Sequence, residues 1–357
     1  MPRKHSLSGA IGFLSLLLTV HLEARPDRDI IREARRHYLV EHIRIAATDR
    51  LIERPDEIAA YLDANFNTVV LYDTEDNGPL KSEERIAFEL TFARAHGLHV
   101  LVGKATEPLP LQATEKNAMQ RARRPSANEQ VSDEEIRERL SLWHRYGDDV
   151  ILGIFFLHDD ACLIEASVER QLHLYALAHE TVPDWYVFGM IGEFCDARSD
   201  FAHYFDPDTF DHLIVLMYPL SLSEVTGTHL DSTTSADPDE DMRRYVHGYI
   251  ERMGEKFISH LRPGQVVLLV IQSFAYDSDA AGRVPRQSDV DIQATVGNAS
   301  LRAIAGQAGN QSIAYYLWDG SRGGMSGLWQ RPDWMAAAVR SNDQIERGLR
   351  PIDRQAP

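Results

Sequence analysis

Cysteine is almost missing from this chain of 357 residues, which has only Cys162 and Cys195. A disulfide-dense miniature fold is therefore excluded, and so is a zinc site built from paired C-x-x-C motifs. The common signatures of metal and nucleotide chemistry are also missing. There is no H-E-x-x-H, no Walker lysine loop, no G-x-S-x-G elbow, and no G-x-G-x-x-G after a strand-like run. No cofactor is expected. Cations are scarce beside anions: 37 Lys and Arg face 54 Asp and Glu, a formal net charge of -17. Nucleic-acid binding needs clustered cations to displace counterions, so no nucleic-acid partner is expected. The short basic stretch Arg121, Arg123 and Arg124 reads as a solvated loop. Long apolar runs are lacking too. The run from Ala10 to Val20, about 11 residues, is too short to cross a bilayer.

That run has informative neighbours. Arg3, Lys4 and His5 precede it, and Leu22, Glu23 and Ala24 follow it before a charged segment. Basic, then apolar, then small is the order of a secretory signal. Residues 1–24 are read as a signal peptide and 25–357 as one domain, exported to the periplasm or secreted, with no stable membrane span after signal removal. A membrane anchor or a buried helix is the competing reading of the same run. Export is compatible with the two cysteines, which fall just after the fourth and fifth strand-like runs described next. They form either a disulfide across that rim or two buried thiols; sequence leaves both open.

Eight short runs rich in apolar, β-branched and aromatic residues recur along the chain: His42 to Ala47, Thr68 to Tyr72, His99 to Gly103, Val150 to Leu157, Tyr186 to Ile191, Leu213 to Tyr218, Val266 to Gln272 and Ile313 to Trp318. Stretches of helical period alternate with them, at Pro55 to Ala64, Ser82 to His96, Ser132 to Tyr146, Ser167 to Glu180, Asp241 to Leu261, Val290 to Ala308 and Asp333 to Ile345. Only the fifth link, near Phe201 to Phe210, is short and poorly helical. Strands alternating with helices imply a parallel sheet, and eight of them in a chain of this length predict a single (β/α)8 TIM barrel. Connections in such folds are usually two to six residues long. Three longer insertions stand out: Thr106 to Val131 after strand 3, Leu220 to Glu240 after strand 6, and Ala275 to Gln287 after strand 7. All leave the carboxyl ends of strands, where a barrel carries its chemistry, and walls of that length suit an extended substrate.

The strand ends carry the polar and aromatic groups. Strand 4 runs directly into His158, Asp159 and Asp160. Two adjacent carboxylates and an imidazole cannot all be sunk in an apolar core without a heavy desolvation cost, so at least one should face the open rim. A structural reading gives one of the acids to a helix cap or an arginine. Strand 5 is followed by Gly192 and Glu193, one strand over from Asp160; here the structural reading pairs Glu193 with Arg198. Two carboxyl groups flanking a glycosidic bond supply an acid for the leaving oxygen and a nucleophile or base for the other side. Other strand ends offer Tyr72, Asp73, Lys104, Tyr218, Gln272 with Phe274 and Tyr276, Trp318 and Asp319. Flat aromatic rings suit the C–H faces of a sugar, and the polar groups suit its hydroxyls. Tyr72 and Tyr218 could equally be layer-filling residues of the barrel.

The strand 4 ending, Gly153-Ile-Phe-Phe-Leu-His-Asp-Asp160, resembles that of bacterial barrel glycoside hydrolases, in which a Gly-aromatic strand runs into an acidic pair. The Met217-Tyr218 and Trp318 endings are similar to those lining sugar subsites in chitinase-like barrels. Asp160 stands where that family has a longer Glu, Gln272 stands where many retaining members carry a nucleophile, and the chitinase D-x-x-D-x-D-x-E series is missing. The resemblance implies a glycosidase-like cleft acting on a poly- or oligosaccharide. Within it, Asp160 is the expected general acid, its pKa raised by Asp159 and burial, and Glu193 the base or nucleophile. His158, Tyr218, Gln272 and Trp318 would then bind sugar. Two alternatives stand beside this: a carbohydrate-binding barrel without catalysis, and a metal-dependent hydrolase built on His158, Asp159 and Asp160. The His-x-His of barrel metallohydrolases is lacking at strand 1, which offers only Thr48 and Asp49.

Overall fold

The computed structural model describes residues 44–47, 54–74, 80–103, 131–157, 160–220, 230, 236–276, 284–305, 312–316, 318 and 325–349. Its strands are β1 (Arg44–Ala47), β2 (Thr68–Tyr72), β3 (His99–Gly103), β4 (Ile151–Phe155), β5 (Tyr186–Ile191), β6 (His212–Met217), β7 (Val267–Gln272) and β8 (Ile313–Tyr316). Between and after them lie α1 (Pro55–Asp63), α2 (Glu83–Ala95), α3 (Asp133–Gly147), α4 (Val168–Thr181), α5 (Glu193–Ala197), α6 (Pro238–Lys256), α7 (Gln287–Ala305) and α8 (Pro332–Leu349). The sequence marks several helix starts chemically. Ser82, Ser132, Ser167 and Asp237 each accept the N3 backbone N–H of the helix that follows, and Ser132 with Glu135 completes a capping box. Beyond the carboxyl end of α2, Gly97 takes φ 67°, the left-handed turn that releases the chain into β3.

Every neighbouring strand pair is parallel, and the order is that of the chain. β1 pairs with β2 on one side and β8 on the other, so the sheet closes on itself. This is the parallel α/β barrel expected from the alternation of runs. Strand residues alternate between the barrel interior and the helix layer. Tyr72 and Phe155 meet edge to face over Gly103, where an added Cβ would lie 2.3 Å from the Phe155 ring. Glycine at 103 thus makes room for two large rings in one interior layer. The fifth link is irregular, as expected: α5 has five residues and is followed by 3-10 turns at Phe201–His203 and Pro207–Thr209.

Most of the three insertions, and residues 1–24, expected from the sequence to be a signal peptide, lie outside the described residues. From the third insertion, Ala275–Tyr276 pairs antiparallel with Met325–Ser326. Among the described residues no helix is long and apolar enough to cross a membrane.

Candidate functional site

The ends of β4 and β5 are tied together around one carboxylate. Asp160, only 1% exposed, accepts the backbone N–H of Cys162 at Oδ1 (2.9 Å) and that of Cys195 at Oδ2 (3.0 Å). Cys195 is the third residue of α5, whose N-cap is Gly192 and has no side chain to offer. Asp160 therefore caps α5 from the neighbouring strand end. The two cysteines it serves are themselves joined in a disulfide, with Cα atoms 5.1 Å apart. Of the two states sequence left open, the structure has the bond. Gly192 is needed for the approach: a Cβ there would stand 3.1 Å from Asp160 Oδ2.

Glu193, the first residue of α5, is half-buried beside this clamp. Its Oε1 accepts the Tyr245 hydroxyl from α6 at 2.8 Å. Burial pushes its carboxyl up to about 7; the Tyr245 hydrogen bond and Arg252 oppose that rise, and the negative charges of Asp196 and Asp160 add to it. A carboxyl group titrating near neutrality is suited to giving and taking a proton. Glu193, expected from the sequence as base or nucleophile, is thus a carboxyl suited to holding a proton near neutrality. Arg198, the partner sequence offered for Glu193, is engaged elsewhere, donating to both oxygens of Asp200 at 2.7 Å.

Three rings gather where β6, β7 and β8 end. Tyr218 meets Phe274 edge to face with centroids 5.3 Å apart and lies 5.9 Å from Tyr316, while Phe274 meets Tyr316 at 5.4 Å. Tyr218 and Tyr316 are partly exposed. Gln272 beneath them is buried and braces the backbone, accepting the Leu220 N–H at 2.9 Å.

The other singled-out residues are dispersed. Asp73, fully buried, turns to α3, where Arg139 donates to both its oxygens and Trp143 Nε1 donates to Oδ1 at 2.6 Å. Burial pushes its carboxyl up, while Arg139, Trp143 and Lys81 pull the other way. Trp318, also fully buried, stacks on Trp329 and donates from Nε1 to Glu57 Oε1 at 2.8 Å, so it presents no face to a ligand. Tyr72 fills the interior layer with Phe155. His158, Asp159, Lys104 and Asp319 lie outside the described residues.

Among the described residues, one group of potential metal ligands converges: Asp160, Cys162 and Cys195. Its two sulfurs are bonded to each other, which removes the thiolates a cation would need. Sequence reasoning missed Tyr245, because nothing local marks a mid-helix tyrosine as the partner of a carboxyl 52 positions earlier. The available signal was the Tyr245, Tyr249, Arg252, Lys256 stripe, which shares one face of α6.

No family model matches this chain, and no curated protein matches it. Among solved structures it is similar to the catalytic domain of a mannanase from Streptomyces sp. SirexAA-E, at 12% identity and TM-score 0.42, over 78% of this chain and 76% of that one. It is also similar to a GH2 beta-galacturonidase from Eisenbergiella tayi, at 13% identity and TM-score 0.49, over 85% of this chain. It spans about half of that protein, 51%.

Proposed function

We propose that this protein is an exported, glycosidase-like hydrolase of a poly- or oligosaccharide, with Glu193 as the proton donor. The observation that carries the reading is the placement of Glu193 at the end of β5, half-buried against the Tyr245 hydroxyl and next to the α5-capping Asp160 of the adjoining strand end, a setting in which burial raises its carboxyl. Glu193 would protonate the leaving glycosidic oxygen. Asp160, with both oxygens accepting backbone N–H groups, holds α5 in place beside Glu193. The second carboxyl group, nucleophile or base for water, is sought at Asp159, a candidate from the sequence that lies outside the described residues. Tyr218 and Tyr316 offer ring faces to the sugar.

Reducing-sugar release across a panel of bacterial and plant polysaccharides tests this, with wild type from about Arg25 onward run beside Glu193→Gln, Asp159→Asn and Asp160→Asn. Loss of a proton donor should lower turnover roughly 10²- to 10⁴-fold in Glu193→Gln. Turnover retained in that variant overturns the assignment. A second reading, a carbohydrate-binding barrel without catalysis, is favoured by Gln272: β7 ends in an amide committed to Leu220 and not in a carboxylate. Binding of a glycan to wild type without cleavage would select it. Export is tested separately by cell fractionation of the full-length chain.

A further inference from the structure

The helix that carries Glu193 cannot support itself. Five residues make barely more than one turn, and nucleating that turn is unfavourable in isolation. It is held at three points. Asp160 accepts the Cys195 N–H near its start, and the disulfide to Cys162 ties its middle to the loop after β4. At its far end Lys256 of α6 donates from Nζ to the carbonyl oxygens of Cys195 (2.8 Å), Asp196 (2.6 Å) and Arg198 (2.8 Å). An ammonium group has three donors, and all three are spent on the end of α5. The Nζ also sits 4.6 Å from the centroid of the Phe201 ring. The same stripe of α6 makes the remaining contacts: Arg252 pairs with Asp196 at 3.0 Å, and Tyr245 bonds Glu193.

We propose that Lys256 and the Cys162–Cys195 disulfide are positioning residues for Glu193, fixing α5 so that its first residue is kept half-buried between Asp160 and Tyr245. This rests on the reading of Glu193 as proton donor and says what maintains it in that state. Neither group forms a hydrogen bond or ion pair with Glu193, so each acts through the helix. If α5 loosens, Glu193 turns toward water, and the groups that now face it, Asp160 from the β4 loop, Asp196 on α5, and Tyr245 and Arg252 on α6, lose their hold together.

The test follows the Glu193 carboxyl carbon by NMR in protein labelled with ¹³C-glutamate, its signal assigned by its loss in Glu193→Gln. Lys256→Met and the double variant Cys162→Ala/Cys195→Ala are titrated beside wild type, with thermal melts of each. The wild-type midpoint is expected at about 7. In both variants it should fall by about one unit or more toward the ordinary glutamate range. Reducing the wild-type disulfide with a phosphine under native conditions gives the same reading if a variant does not fold. Variants that melt earlier but keep the midpoint would overturn the proposal, since a merely structural clamp lowers stability without moving that titration. A wild-type midpoint near 4.3 would instead sink the proton-donor reading itself, so the two failures are distinguishable.

Discussion

The Tyr245 hydroxyl donates to Oε1 of Glu193 across 2.8 Å, joining α6 to the first residue of α5. A hydrogen bond to a carboxylate favours its ionised form, so this contact works against burial at the same group. Tyr245→Phe should therefore raise the Glu193 midpoint above about 7, by about one unit. A carboxyl titration measures it, and any glycan-cleaving activity should keep its acid-dependent limb to correspondingly higher pH. A midpoint that stays put or falls would show that the tyrosine is not a significant partner of the charged form.

Glu193 also makes the fold sensitive to pH, with a definite sign. Its folded pKa, about 7, lies above its unfolded value, about 4.5. Between those values the folded protein holds a proton the unfolded chain has lost, so this contribution is full below about 4.5 and disappears as pH rises through 7. The difference is worth at most about 3 kcal/mol, less whatever solvent still reaches the carboxyl. Glu193→Gln, which cannot ionise, should be more stable than wild type at pH 8 and equal to it near pH 4. Urea unfolding at the two pH values decides: parallel curves for the two proteins would be evidence against a raised Glu193.

Periodicity carried most of the fold. Thr68–Tyr72, His99–Gly103 and Tyr186–Ile191 emerge with the boundaries that apolar runs and flanking turn residues imply, and helix starts follow from Ser82, Ser132 and Ser167. The helix ends and the strand ends shift by one to five residues elsewhere, where the chain leaves an element without a capping residue to mark it. Helix α5 was not legible, because five residues carry no period; its stability comes from Asp160, the disulfide and Lys256, all remote in sequence. Among strand-end residues the sequence identified chemistry but not direction. Asp73 and Trp318 lie just past the ends of β2 and β8, where a single-residue difference in register separates the interior from the helix layer. Asp73 faces α3 and Trp318 faces α1, which only the closed barrel could reveal.

The Asp73 cluster yields a prediction that separates stability from binding. Asp73→Asn would leave Arg139, whose side chain is only 15% exposed, facing a neutral amide in place of its counter-ion. Breaking one partner of such a pair costs about 3–5 kcal/mol, whereas replacing both with neutral groups costs much less. Asp73→Asn should thus unfold at a much lower denaturant concentration, and Asp73→Asn/Arg139→Met should recover part of the loss. Glycan affinity of whatever protein remains folded should be unchanged. An affinity loss with the unfolding midpoint intact would restore the sugar-contacting role expected from the strand-end position.

Trp318 admits a similar separation, with a different group at stake. Its ring is packed among Tyr61, Phe66 and Trp329, with centroids 4.9, 6.0 and 5.6 Å away, and its Nε1–H serves the buried carboxylate of Glu57, whose other oxygen accepts Arg54 Nε at 3.2 Å. Trp318→Phe keeps much of the packing but removes the donor, leaving a buried carboxylate one hydrogen bond short. That loss is expected to cost about 1.5–3 kcal/mol, with a further contribution from the smaller ring. Denaturant unfolding should register the full effect. Tryptophan-independent binding assays, such as calorimetry with any glycan the wild type binds, should register none. A ring that stacked on a sugar would behave in the opposite way, because an aromatic platform facing solvent contributes to affinity and little to folding. A large affinity loss in Trp318→Phe at unchanged stability would therefore place Trp318 in the cleft and require a conformation in which the Glu57 contact is broken.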